Sequence, residues 1–134
     1  MEYSLILVRI FVRDLERSIA FYTQVLGMEL DARIDEMGWA ELSTGACNLA
    51  LERLDPQAAA GPGEDDESLV GRFVGVSLSV TDIHARYEDL MNRGVDFLGP
   101  PEVMPWGGVL VHFRDPDNNV LTLVGVPRAE DQAA

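Results

Sequence analysis

Two histidines and one cysteine are the side chains best suited to acid–base or nucleophilic chemistry near neutral pH. His112 alternates with Val111 and Phe113, so we expect it to point away from the apolar core, where it is either a general acid or base or a structural residue. His84 falls in the first turn of a predicted helix, and we expect it to face solvent. Cys47 has no activating neighbour in the sequence, so we expect it to be inert.

Arg9 interrupts an apolar segment that predicts a strand, and a charge there needs a partner. Glu41 or Glu52 is the expected partner in a structural ion pair, and the alternative is that Arg9 anchors the anion of a ligand. For Glu41 the alternative to this pairing is a general base or a cation-binding group. Trp39 and Trp106 are either packing residues or surfaces on which a ligand stacks. Trp106 lies in a Pro-Trp-Gly-Gly loop whose backbone can approach a ligand closely.

The net charge of −13 limits the partners of the chain. Nucleic acids and anionic membranes both require a positive surface, so we expect neither as a partner. The acid excess serves solubility or attracts a cationic ligand. A single cysteine excludes an internal disulfide, and together with the lack of a signal-peptide pattern it favours a reducing cytoplasm.

The elements that must position these residues occur twice along the chain. Val12-x-Asp14-Leu15 matches Val80-x-Asp82-Ile83, 68 residues later. Each match joins a predicted strand to a helix that an aspartate caps, and three further strands follow each helix. The first half predicts strands at 3–12, 28–35, 38–43 and 47–54. The second half predicts strands at 72–80, 95–104, 108–113 and 120–126, a helix at 82–93 and a turn at 116–119.

With this pattern in place, residues 12–30 and 113–124 resemble the two signature segments of the vicinal oxygen chelate superfamily. That family includes glyoxalase I, extradiol dioxygenases and the fosfomycin- and bleomycin-resistance proteins. The resemblance implies an α+β fold in which two βαβββ modules form cupped, mostly antiparallel sheets. We expect one domain, residues 1–134, that consists of module 1 (3–54), a linker (55–71), module 2 (72–126) and a tail (127–134). It also implies a homodimer, because many members build their ligand cup from two chains.

The resemblance implies a divalent metal held by the first and fourth strands of each module. Those ligand positions fall on Leu7, Ala50, Gly75 and Thr122. Leucine, alanine and glycine side chains cannot coordinate a metal, and a threonine hydroxyl is a poor sole ligand. We therefore expect no metal cofactor.

Period-two alternation predicts which strand residues face the ligand. Together with the loop residue Trp106, the predicted ligand-binding set is Leu7, Arg9, Trp39, Glu41, Asn48, Ala50, Gly75, Ser77, Trp106, His112 and Thr122. Our first hypothesis is a metal-free protein resembling the bleomycin-resistance branch, which sequesters an aromatic, partly cationic drug or metabolite. The alternative is a lyase, isomerase or dioxygenase of the same fold that uses His112, Glu41 and Arg9 or a non-standard metal site.

Overall fold

The computed structural model describes residues 2–54 and 67–132. Residues 55–66, most of the predicted linker, lie outside the described residues. The chain divides into unit 1 (Met1–Arg72 with Pro116–Asn118) and unit 2 (Phe73–Asp115 with Asn119–Ala134). Each unit contains one sheet and its own helix, which confirms the predicted α+β class.

Unit 1 contains a four-stranded sheet in the order β1-β4-β3-β2. Its strands are β1 (Leu7–Val12), β2 (Glu29–Ile34), β3 (Trp39–Ser43) and β4 (Asn48–Arg53). Strands β1 and β4 run parallel, and the other two pairs are antiparallel. Residues 3–6, which we predicted as part of the first strand, lie outside it because β4 begins opposite Leu7 and offers them no strand partner.

The core of unit 1 forms on one face of this sheet. Ile10, Ala40, Leu42 and Leu51 are each at most 1% exposed, as alternation along the strands requires. Helix α1 (Leu15–Ala20) adds its buried residues to this core. Asp14 caps the helix by accepting a hydrogen bond from the Arg17 N–H at 3.1 Å.

The helical spacing of Leu15, Ile19, Tyr22 and Leu26 predicts one regular α-helix, but the first helix does not continue in that form. A π-helical segment (Phe21–Val25) follows α1 directly, and the Leu26 N–H donates to the Phe21 carbonyl at 3.0 Å. The Thr23 hydroxyl donates to the Ile19 carbonyl at 2.7 Å, so a side chain occupies an acceptor that an α-helix would give to the backbone.

Unit 2 contains a five-stranded sheet in the order β5-β9-β8-β6, with β7 also paired to β8. Its strands are β5 (Phe73–Ser79), β6 (Asp96–Phe97), β7 (Glu102–Val103), β8 (Val109–Arg114) and β9 (Val120–Gly125). The predicted continuous strand at 95–104 is wrong, because Pro100 and Pro101 separate β6 from β7 and proline cannot donate to a strand ladder. Helix α2 (Ile83–Asn92) packs against β9 where Gly125 leaves room, since a Cβ there would lie 2.8 Å from the Ile83 Cβ.

Asp117 lies in the predicted turn at 116–119, yet its carboxylate is buried in unit 1, with a side chain only 1% exposed. It accepts hydrogen bonds from the Arg13 N–H and from Arg17 Nη2, both at 3.0 Å. The turn was predicted correctly, but this attachment was not.

A short terminal helix, α3 (Ala129–Gln132), is attached to α2 within unit 2. His84 Nε2 lies 2.8 Å from Asp131 Oδ2, and the His84 side chain is 18% exposed, so the expectation that it faces solvent is wrong. Burial by itself would raise the pKa of Asp131, but hydrogen bonds from His84 and from the Arg128 N–H outweigh it and lower that pKa. No helix in the two described ranges is long and apolar enough to cross a membrane.

We predict that Asp117→Ala lowers the free energy of unfolding by about 3 kcal/mol, because it leaves the donors of Arg13 and Arg17 without their buried acceptor. Urea denaturation would measure this. Asp96→Ala is the matched control, since it also removes an arginine partner, but its pair with Arg114 is 38% and 64% exposed and should contribute at most about 1 kcal/mol. Equal losses in the two variants would contradict the structural role of Asp117.

We also predict that α3 detaches in acid. A carboxyl group whose pKa is lower in the folded state stabilises the fold above its unfolded pKa of about 4, and that stabilisation is lost as the pH falls below it. NMR signals of residues 129–132 should therefore move to unfolded positions below about pH 4. Asp131→Asn should show detached signals already at pH 7, and native-like signals in that variant would refute the attachment.

Candidate functional site

The outer face of the unit 1 sheet collects six of the predicted ligand-binding residues. The strand registers pair Leu7 with Asn48 and Arg9 with Ala50, and Ala50 pairs in turn with Glu41. Trp39 lies on the same face, two residues before Glu41 along β3. These residues therefore form neighbouring rows across three strands, opposite the apolar core.

Three side chains on this face and one from β2 form a hydrogen-bonded cluster, which we call the Glu41 cluster (Asp31, Trp39, Glu41 and Asn48). Glu41 accepts from Asn48 Nδ2 at 2.9 Å and from Trp39 Nε1 at 3.3 Å. Asn48 Nδ2 also donates to Asp31 at 3.2 Å. Both donors are neutral, so they orient the two carboxylates without cancelling their charge. Among the described residues, no arginine or histidine forms an ion pair with either carboxylate.

Arg9 donates to Glu52 at 3.0 Å, and its guanidinium carbon lies 5.6 Å from the centre of the Phe11 ring. The predicted ion pair therefore exists with Glu52. The other expected pairing, with Glu41, is wrong because that carboxylate is bonded to Trp39 and Asn48 instead. The Arg9 side chain remains 42% exposed, so this pair lies at the surface.

Unit 2 presents its own outer face, on which His112 is the central polar group. His112 and Thr122 are cross-strand neighbours, and the His112 Nδ1 lies 2.8 Å from the Thr122 hydroxyl. The ring of Phe73 meets the imidazole edge to face, with centroids 5.6 Å apart. Ser77 pairs with Thr122 from the other side. These contacts fix the orientation of the imidazole.

Trp106 lies on the hairpin between β7 and β8, and 63% of it is exposed. Its ring packs against Gly108, where a Cβ would be 1.9 Å from the indole. The Met104 N–H donates to the Gly108 carbonyl at 2.8 Å, which closes the turn. Glycine at position 108 therefore holds an exposed indole in a defined place.

The four positions at which the resemblance implies metal ligands do not fit a metal. Leu7 and Ala50 lie on neighbouring strands in unit 1, and Ala50 is fully buried. In unit 2, Gly75 has a positive φ of 72° at a shift in the β5–β9 register, and the Thr122 hydroxyl is bonded to His112. Within residues 2–54 and 67–132, no three His, Cys, Asp or Glu side chains are grouped so that they could hold a metal ion.

Asp31 was not among the site residues predicted from the sequence. Every residue of β2 is exposed, so this strand has no alternation that would single out one side chain. The only signal was its position, since β2 is antiparallel to β3 and its residues approach Glu41. Cys47 is half-buried and free, and it lies in the loop before β4.

Comparison with known proteins agrees with this architecture. A crystal structure of a Glyoxalase/bleomycin resistance protein/dioxygenase superfamily member from Sphaerobacter thermophilus is 32% identical, with a TM-score of 0.78 over 92% of this chain and 97% of that one. TnmS3, an antibiotic binding protein from Streptomyces sp. CB03234, is 30% identical, with a TM-score of 0.72 over 95% and 99% of the two chains. A probable lactoylglutathione lyase from Synechocystis is 26% identical over 90% of this chain and 93% of its own length.

The family model of the Glyoxalase/Bleomycin resistance protein/Dioxygenase superfamily matches residues 4–123, almost the whole chain. The resemblance inferred from residues 12–30 and 113–124 is thereby confirmed. The chain belongs to this superfamily.

Proposed function

We propose that this protein binds a small aromatic, positively charged molecule and sequesters it without chemical change and without a metal. The Glu41 cluster is the observation that carries the proposal. It holds two carboxylates in fixed orientations beside the indole of Trp39, and neither forms an ion pair among the described residues. A ligand cation would supply the missing positive charge.

The energetics of the cluster favour a cation over a neutral ligand. Two carboxylates that share one amide donor repel each other, and a positive charge near both relieves that repulsion. The indole face attracts cations as well, and it offers an aromatic ligand a surface on which to stack. The net charge of −13 adds a long-range attraction for cations.

The remaining predicted contacts extend this proposal. Leu7 and Ala50 contribute apolar surface to the unit 1 face at positions where the resemblance implies metal ligands. Arg9 remains hydrogen-bonded to Glu52. The similarity to TnmS3, an antibiotic binding protein, supports ligand binding as the activity. On the unit 2 face, we propose ligand contacts for Gly75, Ser77, Trp106, His112 and Thr122.

We also propose that the chain acts as a homodimer in the cytoplasm. Tyr3, Leu5 and Ile6 are 83%, 74% and 73% exposed, and a second copy of the chain would cover this apolar surface.

A catalytic role for His112 is the second candidate. Its Nδ1 is bonded to Thr122, which orients the ring for proton transfer, and one relative is named a probable lactoylglutathione lyase. This candidate predicts turnover that is lost in His112→Ala while ligand binding is retained. Sequestration predicts that the ligand is recovered unchanged.

Calorimetric titration with proflavine, a planar cation, and acridine-9-carboxylate, a planar anion, tests the proposal. We expect proflavine to bind and the anion to bind at least tenfold more weakly. Glu41→Gln should weaken proflavine binding about tenfold, because it removes the charge while keeping the shape, and Trp39→Ala should have a similar effect.

Glu36→Gln is the matched control for this experiment. Glu36 is an exposed carboxylate in the turn between β2 and β3, outside the Glu41 cluster, so its loss changes the net charge equally. The proposal fails if Glu36→Gln and Glu41→Gln weaken binding to the same extent, since binding would then depend only on the overall charge.

A further inference from the structure

A cavity with a volume of about 470 Å³ lies in unit 1, outside the Glu41 cluster. It forms where β1 ends, where α1 begins and where the turn between β2 and β3 approaches the end of β4. Three arginines line it, namely Arg13, Arg33 and Arg53. What this cavity can bind depends on which of these cations is already paired.

Two of the three arginines form ion pairs with carboxylates. Arg33 donates to both Glu16 and Asp35, and these carboxylates raise the pKa of its guanidinium above its usual value. Arg13 donates to Glu67 at 2.7 Å, in a pair whose side chains are 50% and 71% exposed. Both cations therefore have carboxylate partners.

Arg53 differs from the other two. Its guanidinium has no hydrogen bond or ion pair to any residue in the described ranges, although the side chain is half-buried. A guanidinium presents several N–H donors in a planar fork that matches a carboxylate. The cavity thus contains one arginine whose donors are available to a ligand.

The chain holds this guanidinium in place with a glycine. Gly38 adopts φ +61° at the end of the turn before β3, and its carbonyl accepts from the Arg53 N–H at 2.7 Å. A Cβ at position 38 would lie 2.7 Å from the Arg53 Cβ and 3.1 Å from its guanidinium carbon. The Arg53 side chain therefore lies directly against the Gly38 backbone, which only glycine permits.

We propose that this cavity is a binding site for a small organic carboxylate, which pairs with the guanidinium of Arg53. The other charges around the cavity select against a dianion, because Asp14, Glu16 and Asp35 also line it and would repel inorganic phosphate. Leu15 provides an apolar contact for the organic part of the ligand. This site is independent of the Glu41 cluster and of the function proposed for it.

NMR titration of the full chain with benzoate, inorganic phosphate and benzylammonium tests this proposal. We expect benzoate to shift the Arg53 side-chain Nε–H signal and the backbone signals of Gly38 and Leu15 in a saturable way. Phosphate should bind at least tenfold more weakly, and benzylammonium should not shift these signals. The proposal is overturned if benzoate leaves Arg53 unshifted or if benzylammonium shifts it equally.

Four variants complete the experiment. Arg53→Gln should weaken benzoate binding at least tenfold, and Gly38→Ala should also weaken it by displacing the guanidinium. Arg93→Gln removes an equal charge immediately after α2 in unit 2 and should leave benzoate binding unchanged. Thermal melts identify variants that fail to fold, and Arg53→Lys, which keeps the charge but not the fork, should bind benzoate with intermediate affinity. Equal binding by Arg53→Gln and the unmodified chain would refute the site.

Discussion

The parallel pairing of the first and last strands in each unit is the constraint on which the rest of the architecture depends. It pairs Leu7 with Asn48 and Arg9 with Ala50 in unit 1, and Ser77 with Thr122 in unit 2. Because a shift by one residue would turn every core side chain outward, the apolar residues of these strands hold the register. The register in turn decides which side chains share the outer face with Trp39, Glu41 and His112.

This constraint explains how the fold persists without the ligands that a metal would need. The rows that would hold a metal contain Leu7 and Ala50 in one unit and Gly75 and Thr122 in the other. Leu7, Ala50 and Thr122 keep regular strand partners, whereas Gly75 lies where the β5–β9 register shifts. In unit 1, the Glu41 cluster supplies two carboxylates, those of Glu41 and Asp31, which two neutral donors orient. We propose that this face recognises a cation through these fixed carboxylates and the aromatic surface of Trp39.

Much of this arrangement follows from the sequence, because alternation and the repeat at 68 residues both reflect packing against a core. The order of strands within each half and the outward placement of Trp39, Glu41 and Asn48 could be predicted in this way. Two local features could not be predicted from the sequence. One is the π-helical segment, in which the Thr23 hydroxyl donates to the Ile19 carbonyl. Two adjacent prolines split the strand predicted at 95–104.

Long-range polar contacts could not be predicted from the sequence, for a different reason. Asp117 belongs to a turn by its sequence, and only the folded chain shows its carboxylate against Arg13 and Arg17. The proposed roles of Asp31 and Arg53 likewise depend on neighbours that are distant in the chain or on another strand. Hydrogen bonds between such side chains produce no periodic pattern in the sequence.

We propose that the outer face of the unit 1 sheet binds its ligand without a metal. Calorimetric titration of the chelator-treated protein with proflavine, in the absence and presence of Zn²⁺ or Mn²⁺, tests it most directly. We expect the same dissociation constant for proflavine, within about twofold, under all of these conditions. Binding that appears only when a stoichiometric metal ion is restored would contradict it.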